Sequence, residues 1–194
     1  MASNDAAKVL VARPKVSGAI FSAPLGSTLP DDASTALDAA FVGLGYASED
    51  GVEASYERAS EEIREWGGKI VKNPQTDVTD TYGVTLIQSG SPDVLKEVYG
   101  DSNVTVTAAT PSSGELISVS ANGEPLPAKS YVFDMVDGVA KRRVVIPNGQ
   151  ITATEATSFQ RGAVVAYPIT ITAFPDENGV THFEYLDNGI VAEA

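Results

Sequence analysis

The sequence predicts a mainly β protein, an antiparallel β-sandwich or small barrel with one flanking α-helix. Three observations carry that reading. Apolar and polar residues alternate along several stretches, with Tyr82, Val84 and Leu86 set against Thr81, Gly83 and Thr85, then Tyr131, Phe133 and Met135, then Val165, Tyr167, Ile169, Ile171 and Ala173. A period of two places one set of side chains on one face of a strand. Turn signals punctuate these stretches at Trp66-Gly67-Gly68, Asp137-Gly138 and Asp176-Glu177-Asn178-Gly179, and Asp-Gly between alternating runs is a strong hairpin signal. One segment, 92–99, combines helical spacing with helical end signals.

Taken in order, residues 1–35 read as an extended arm. Val9-Leu10-Val11 and Ala19-Ile20-Phe21 are short apolar clusters interrupted by Pro14, Pro24, Gly26 and Pro30, and Pro and Gly break regular ladders and helices. An apolar arm must pack somewhere, either on its own domain or on a neighbouring copy; the residues leave both open. Asp31-Asp32 is placed to cap a short helical turn through Ala36–Ala40. Residues 36–194 form the domain. Phe41–Tyr46 leads to a turn at Ser48-Glu49-Asp50-Gly51, followed by an acidic stretch from Val52 to Ile63 and strands at 69–76 and 79–88. Ser91 is a good N-cap, Pro92 stands at the first helical position, Asp93 complements the dipole and Gly100 stops the helix. Val94, Leu95, Val98 and Tyr99 share a face, which must cover a sheet. Short strands are expected at 104–107 and 115–120, then a hairpin through Asp137-Gly138 and an alternating, Thr-rich strand at 150–159. Pro168 marks its strand as an edge or a bulge, and Val180–Leu186 is expected to pair back after the turn at 176–179.

Composition excludes several classes of function. The 194 residues carry 26 Asp+Glu against 13 Lys+Arg, a formal net charge of -13. Such a surface repels phosphate and anionic lipid, which argues against nucleic-acid binding through a basic patch and against a membrane partner. There is no cysteine and a single histidine, His182, so disulfides, thiolate chemistry and the usual zinc sites are ruled out. The N-terminus lacks the basic start of a signal peptide, and no apolar run is long enough to span a bilayer. Synthesis and use in a cytosol are expected.

No residue pattern points to catalysis, a cofactor or a metal. His182 has no Gly-x-Ser-x-Gly partner motif and reads as a half-exposed strand residue. With so many carboxylates, some pair always stands at glycosidase spacing, so the pairing carries no signal. Asp176–Gly179 lacks the spaced ligands of a calcium loop. Gly67-Gly68 precedes a strand rather than a helix, unlike a phosphate loop. Trp66 reads as a packing anchor at a loop. Lys141-Arg142-Arg143 is the one basic cluster, and its side chains read first as salt-bridge partners for acidic surfaces of a neighbour and only second as a phosphate contact.

Several stretches, in the same order over residues 30–190, resemble the major tail tube proteins of siphovirus-type phages, especially those of actinobacterial hosts. They are Leu37–Tyr46 with Ser48–Val52, Ile63-Arg64-Glu65-Trp66-Gly67-Gly68 (an I-x-x-W-G-G turn), Gln75-Thr76, Val94–Gly100, Val144–Gly149, Tyr167-Pro168-Ile169-Thr170 and the final hairpin. The resemblance implies a structural virion protein whose β-domain closes into hexameric rings stacked as a tube. The implied partners are other copies, a tape measure protein, a tail terminator and distal tail or baseplate proteins, with double-stranded DNA passing through. It implies residence in the virion tail after synthesis in the host bacterial cytoplasm, and no cofactor. The arm and the 48–68 connection would bridge copies, and inter-subunit contacts are expected at Val9, Leu10, Val11, Ile20, Phe21, Leu25, Glu49, Asp50, Trp66, Lys141, Arg142 and Arg143. Part of the acid excess is expected to face the lumen. A tail terminator or type VI-like tube is the neighbouring reading. A virion decoration or carbohydrate-binding β-sandwich is the alternative from another class.

Overall fold

The computed structural model describes Asn4, residues 8–16 and residues 18–190. The rest of the expected arm (1–3, 5–7 and 17) and the last four residues of the expected domain lie outside the described residues. The strands and one α-helix are β1 (Arg13–Pro14), β2 (Ile20–Pro24), β3 (Val42–Gly43), β4 (Ala47–Ser60), β5 (Ile63–Arg64), β6 (Ile70–Lys72) and β7 (Gln75–Leu86), then α1 (Pro92–Tyr99), β8 (Val104–Thr107), β9 (Leu116–Val119), β10 (Lys129–Asp137), β11 (Ala140–Thr154), β12 (Tyr167–Ala173) and β13 (Phe183–Asp187). All pairings are antiparallel, and the fold is mainly β with one helix, as the alternation predicts.

One long strand joins two layers. Along one edge β11 pairs with β10; along the other it pairs first with β13, over Lys141–Val145, and then with β12, over Gly149–Thr154. The main path runs β3-β2-β10-β11-β12-β7-β4. Between the layers lies the core, with Ile20, Tyr131, Phe133, Val144 and Ile146 from one side and Tyr82, Val84, Leu86, Ile151, Ile169 and Ile171 from the other. The handover needs a bend. The β10–β11 register shifts between Lys129 and Tyr131, opposite Pro147, which has no N–H to give to a ladder. The Ser130 hydroxyl donates to the Pro147 carbonyl at 2.7 Å. A bulge of this kind bends its strand, and Gly149 just beyond it leaves room for the Tyr131 ring.

The helix closes one end of the core with Val94, Leu95 and Val98, each contributing roughly 1.5–3 kcal/mol by burial. Gly100, at φ 93°, ends it, while the Ser91 side chain makes no capping bond. A second, smaller cluster of Ala23, Phe41, Val132 and Val145 lies on the opposite face of β10 and β11, covered by Leu29, Leu37 and Ala40. These central strands are therefore buried on both faces, which explains the continuous apolar runs at 131–133 and 144–146.

Four expectations change. The helical turn at 36–40 is absent: Asp32 instead accepts the amides of Ser34 and Thr35 at 2.7 and 2.6 Å in a local turn. Ser48–Gly51 is a bulge inside β4 rather than a turn, since three extra residues separate Ala47↔Leu86 from Val52↔Val84, with Gly51 at φ 72°. The final segment crosses to β11 instead of pairing back on β12. Pro168 lies on an interior strand, at its start, one residue outside the β11 ladder that begins at Thr154↔Ile169.

Candidate functional site

The surfaces that set this molecule apart are held by three buried polar anchors. Glu97, on the inner face of α1, accepts hydrogen bonds from Ser22 Oγ (2.8 Å), Tyr131 OH (2.7 Å) and Lys129 Nζ (3.0 Å). Burial, then the adjacent carboxylate, pushes the Tyr131 phenol well above its ordinary range. Arg143, fully buried, grips Asp134 with two bonds of 2.6 and 2.9 Å and donates to the carbonyls of Asp32 and Thr35. It therefore fastens the 31–35 segment to the sheet. Asp80 is buried beside Thr181 Oγ1 and His182 Nδ1, the latter at 3.2 Å, and its other oxygen has no donor among the described residues.

Asp80 marks where β4 and β7 leave the body. Below it, β7 alternates buried and half-buried residues; beyond it, Gln75–Val78 and nearly all of β4 are exposed. The ladder nevertheless continues through Tyr56↔Asp80 to Ser60↔Gln75, and β5 and β6 extend the ribbon to a turn at Trp66-Gly67-Gly68. At about 3.3 Å per residue the ribbon projects roughly 25 Å from Tyr56. Its root is aromatic: Tyr56 stacks on His182 (5.0 Å, 18°) and meets Tyr82 edge-on, and Tyr82 leans on Phe133. Its far end bares Ile63, Trp66, Ile70 and Val71, which have no core of their own.

A second surface is the outward face of the β4-β7-β12 layer. Pairing puts Glu53, Ser55 and Glu57 beside Gly83, Thr81 and Thr79, and Thr170 and Thr172 beside Gly83 and Thr81. Thr152, at the β11 bulge, exchanges a 2.7 Å bond with Thr172. None of these positions carries a base or an aromatic ring.

The expected contact residues scatter. Val9, Leu10 and Val11 are exposed, as are Leu25 beyond β2, Glu49 and Asp50 on the β4 bulge, and Trp66 at the ribbon tip. Ile20, at 2% exposure, belongs to the main core, and Phe21 packs against the second cluster, so these two turn inward because β2 is a full partner of β10. Each member of the basic cluster has a partner within the chain. Arg142 pairs with Glu184 at 2.6 Å, Lys141 donates to Ser34 Oγ and Arg143 holds Asp134. Alternation sends Arg142 to one face and its neighbours to the other. Glu97 was missed, although its spacing three residues after Val94 and one before Val98 puts it on the buried helix face. Among the described residues, no group of three or more acids or histidines could hold a metal.

A family model described as phage tail tube protein matches residues 1–194. Comparison with curated proteins gives no match. Among solved structures, the chain is similar to the tube-terminating cap of the anti-feeding prophage, at 11% identity and a TM-score of 0.41 over 93% of this chain and 96% of that one. It is also similar to the sheath/tube terminator of an extracellular contractile injection system, PVC, in its extended state, at 9% identity and a TM-score of 0.40 over 90% and 99%. Neither likeness is close enough to carry functional meaning.

Proposed function

Because the chain belongs to the phage tail tube protein family, whose members are structural and not enzymatic, we propose that it is the major tube subunit of a long, non-contractile tail of an actinobacterial phage. Copies close into hexameric rings, and rings stack into a hollow tail bounded by a terminator and distal tail proteins and measured by a tape measure protein. DNA leaves through the lumen. The observation that carries this reading is the β4–β7 ribbon, a projection that buries almost nothing in its own chain and ends in exposed Ile63, Trp66, Ile70 and Val71. Apolar surface displayed in this way marks an interaction site.

The Thr, Ser and Glu face of β4-β7-β12 suits the lumen wall. It offers no cation to hold a phosphate, and Glu53 and Glu57 repeat around each ring. DNA carries about one negative charge per 1.7 Å of axis, and screening at about 8 Å confines repulsion to strands near the wall. Negative-stain microscopy of the purified protein at raised concentration tests the reading. Hollow tubes are expected, more of them as salt rises and repulsion between acidic copies is screened. Isolated rings would indicate a terminator instead, and a reconstruction with a basic or neutral lumen would overturn the wall assignment.

A further inference from the structure

We infer that residues 8–12 of one copy dock into a groove at the far end of β11 on the next copy, an assignment that rests on the tube reading. The donor segment is chemically distinct from the rest of the chain. Between Asp5 and Asp31 there is no acid, whereas Lys8, Arg13 and Lys15 fall within eight residues of one another in a chain of net charge -13. Val9 is 73% exposed, and Leu10 and Val11 are exposed beside it. The segment is fastened at its base by β1, which pairs with Met135 and Val136, by Lys15 on Asp134, and by the Val11 amide on Asp137. Its aliphatic side chains nevertheless remain on the surface.

The acceptor is a groove of about 480 Å³ between α1, the 121–126 loop and the end of β11. Its floor is part aliphatic and part phenolic, formed by Val98, Leu126 and Ile151 with Tyr99 and Tyr167, and the exposed Glu124 and Glu155 stand on its rim with no base among the lining residues. Aliphatic side chains flanked by cations match a floor of aliphatic side chains and tyrosine rings rimmed by carboxylates. The segment cannot reach the groove of its own chain. Asp137, which holds Val11, adjoins the start of β11, and the groove rim at Thr154 and Glu155 adjoins its end. The path along the fifteen residues of β11 is bent at Pro147, but β10 alone, from Asp137 to Lys129 beside the helix residue Glu97, spans on the order of 25 Å, whereas Leu10 stands one residue from the tether. Complementary features at opposite ends of one molecule make a head-to-tail contact, and such a contact propagates.

Disulfide trapping tests this in the full-length chain, which has no cysteine of its own. Leu10→Cys and Thr154→Cys are combined in one chain, both positions being exposed, and circular dichroism checks that the fold is kept. Oxidation at assembling concentration is expected to give a ladder of dimer, trimer and longer products, lost on hundredfold dilution. Adding Glu124→Lys and Glu155→Lys is expected to slow the ladder at least tenfold, and Lys8→Glu with Arg13→Glu to restore it. Tubes without a ladder overturn the docking and leave the tube reading standing, whereas neither tubes nor ladder overturns both. A ladder from Trp66→Cys with Thr154→Cys in place of the Leu10 pair would assign the groove to the ribbon tip and overturn the inference.

Discussion

The strands β10 and β11 and the ribbon of β4 and β7 are both long antiparallel pairs, yet they are built to opposite ends. Tyr131, Val132, Phe133, Val144, Val145 and Ile146 are buried on two faces, and their charged neighbours Asp134 and Arg143 are satisfied inside the chain. Glu53, Glu57, Glu61 and Glu62 on the ribbon meet solvent, and its aromatic and aliphatic residues lie at the root or the tip. A strand pair with apolar residues on both faces is consumed by its own fold. A pair with charge along its length and apolar side chains at its end keeps that end for another molecule.

Substitutions can break or sharpen this contrast. The largest loss is expected from Arg143→Ala, which leaves the buried Asp134 carboxylate with only the part-exposed Lys15, at 3.5 Å, as a cationic partner and should cost about 3–5 kcal/mol in urea denaturation. A cost below about 1 kcal/mol would mean that Lys15 alone satisfies Asp134. Gly149→Ala comes next. Its new Cβ would lie 2.8 Å from Tyr131 Cδ2 and 3.0 Å from Ile171 Cγ2, and overpacking of this kind costs about 1–3 kcal/mol. At the ribbon tip, Trp66→Ser should leave stability within about 0.5 kcal/mol while sharply reducing tube formation seen by microscopy; a clear stability loss would show that the tip belongs to the body after all.

The smallest effect concerns acid. Thr35 and Ser34 donate to Asp32 and, with Arg143 nearby, lower its pKa from 3.8 to about 2. A depressed carboxylate stabilises the fold above its unfolded value, and that contribution disappears as pH falls through the folded one. Between pH 4 and 2, hydrogen exchange at the Ser34 and Thr35 amides should therefore accelerate ahead of the core, and Asp32→Asn should abolish the pH dependence there.

Much of the fold could be read directly from the residues. Alternation located β7, β10 and β12, the Asp137-Gly138 turn joined β10 to β11, and proline and glycine bounded α1. These signals are local, so they report what a segment is and not what it touches. The crossover of β13 to β11 and the placement of β2 in the sheet depend on which edges are open after the layers form. Arg143 shows the same limit: its charge was plain in the sequence, but Asp134 pairs with it only once Asp134↔Arg143 are in register. The candidate surfaces were legible in part. Val9–Val11 stood out as an apolar cluster in broken surroundings, whereas Trp66, expected to anchor a loop by packing, is fully exposed at the ribbon tip, and the groove has no sequence signal, because its floor is assembled from four separate segments.

The continuity of β11 has a mechanical consequence. The strand runs from Ala140 to Thr154 as one element, bent at Pro147, with β10 laddered along one edge as far as Gly149 and β13 then β12 along the other. If successive copies are gripped at its two ends, tension along the tail loads this strand lengthwise. Its hydrogen bonds lie across that direction and would have to shear together rather than peel one at a time. A filament joined in this way would stretch and bend at the contacts between copies before any copy began to unravel.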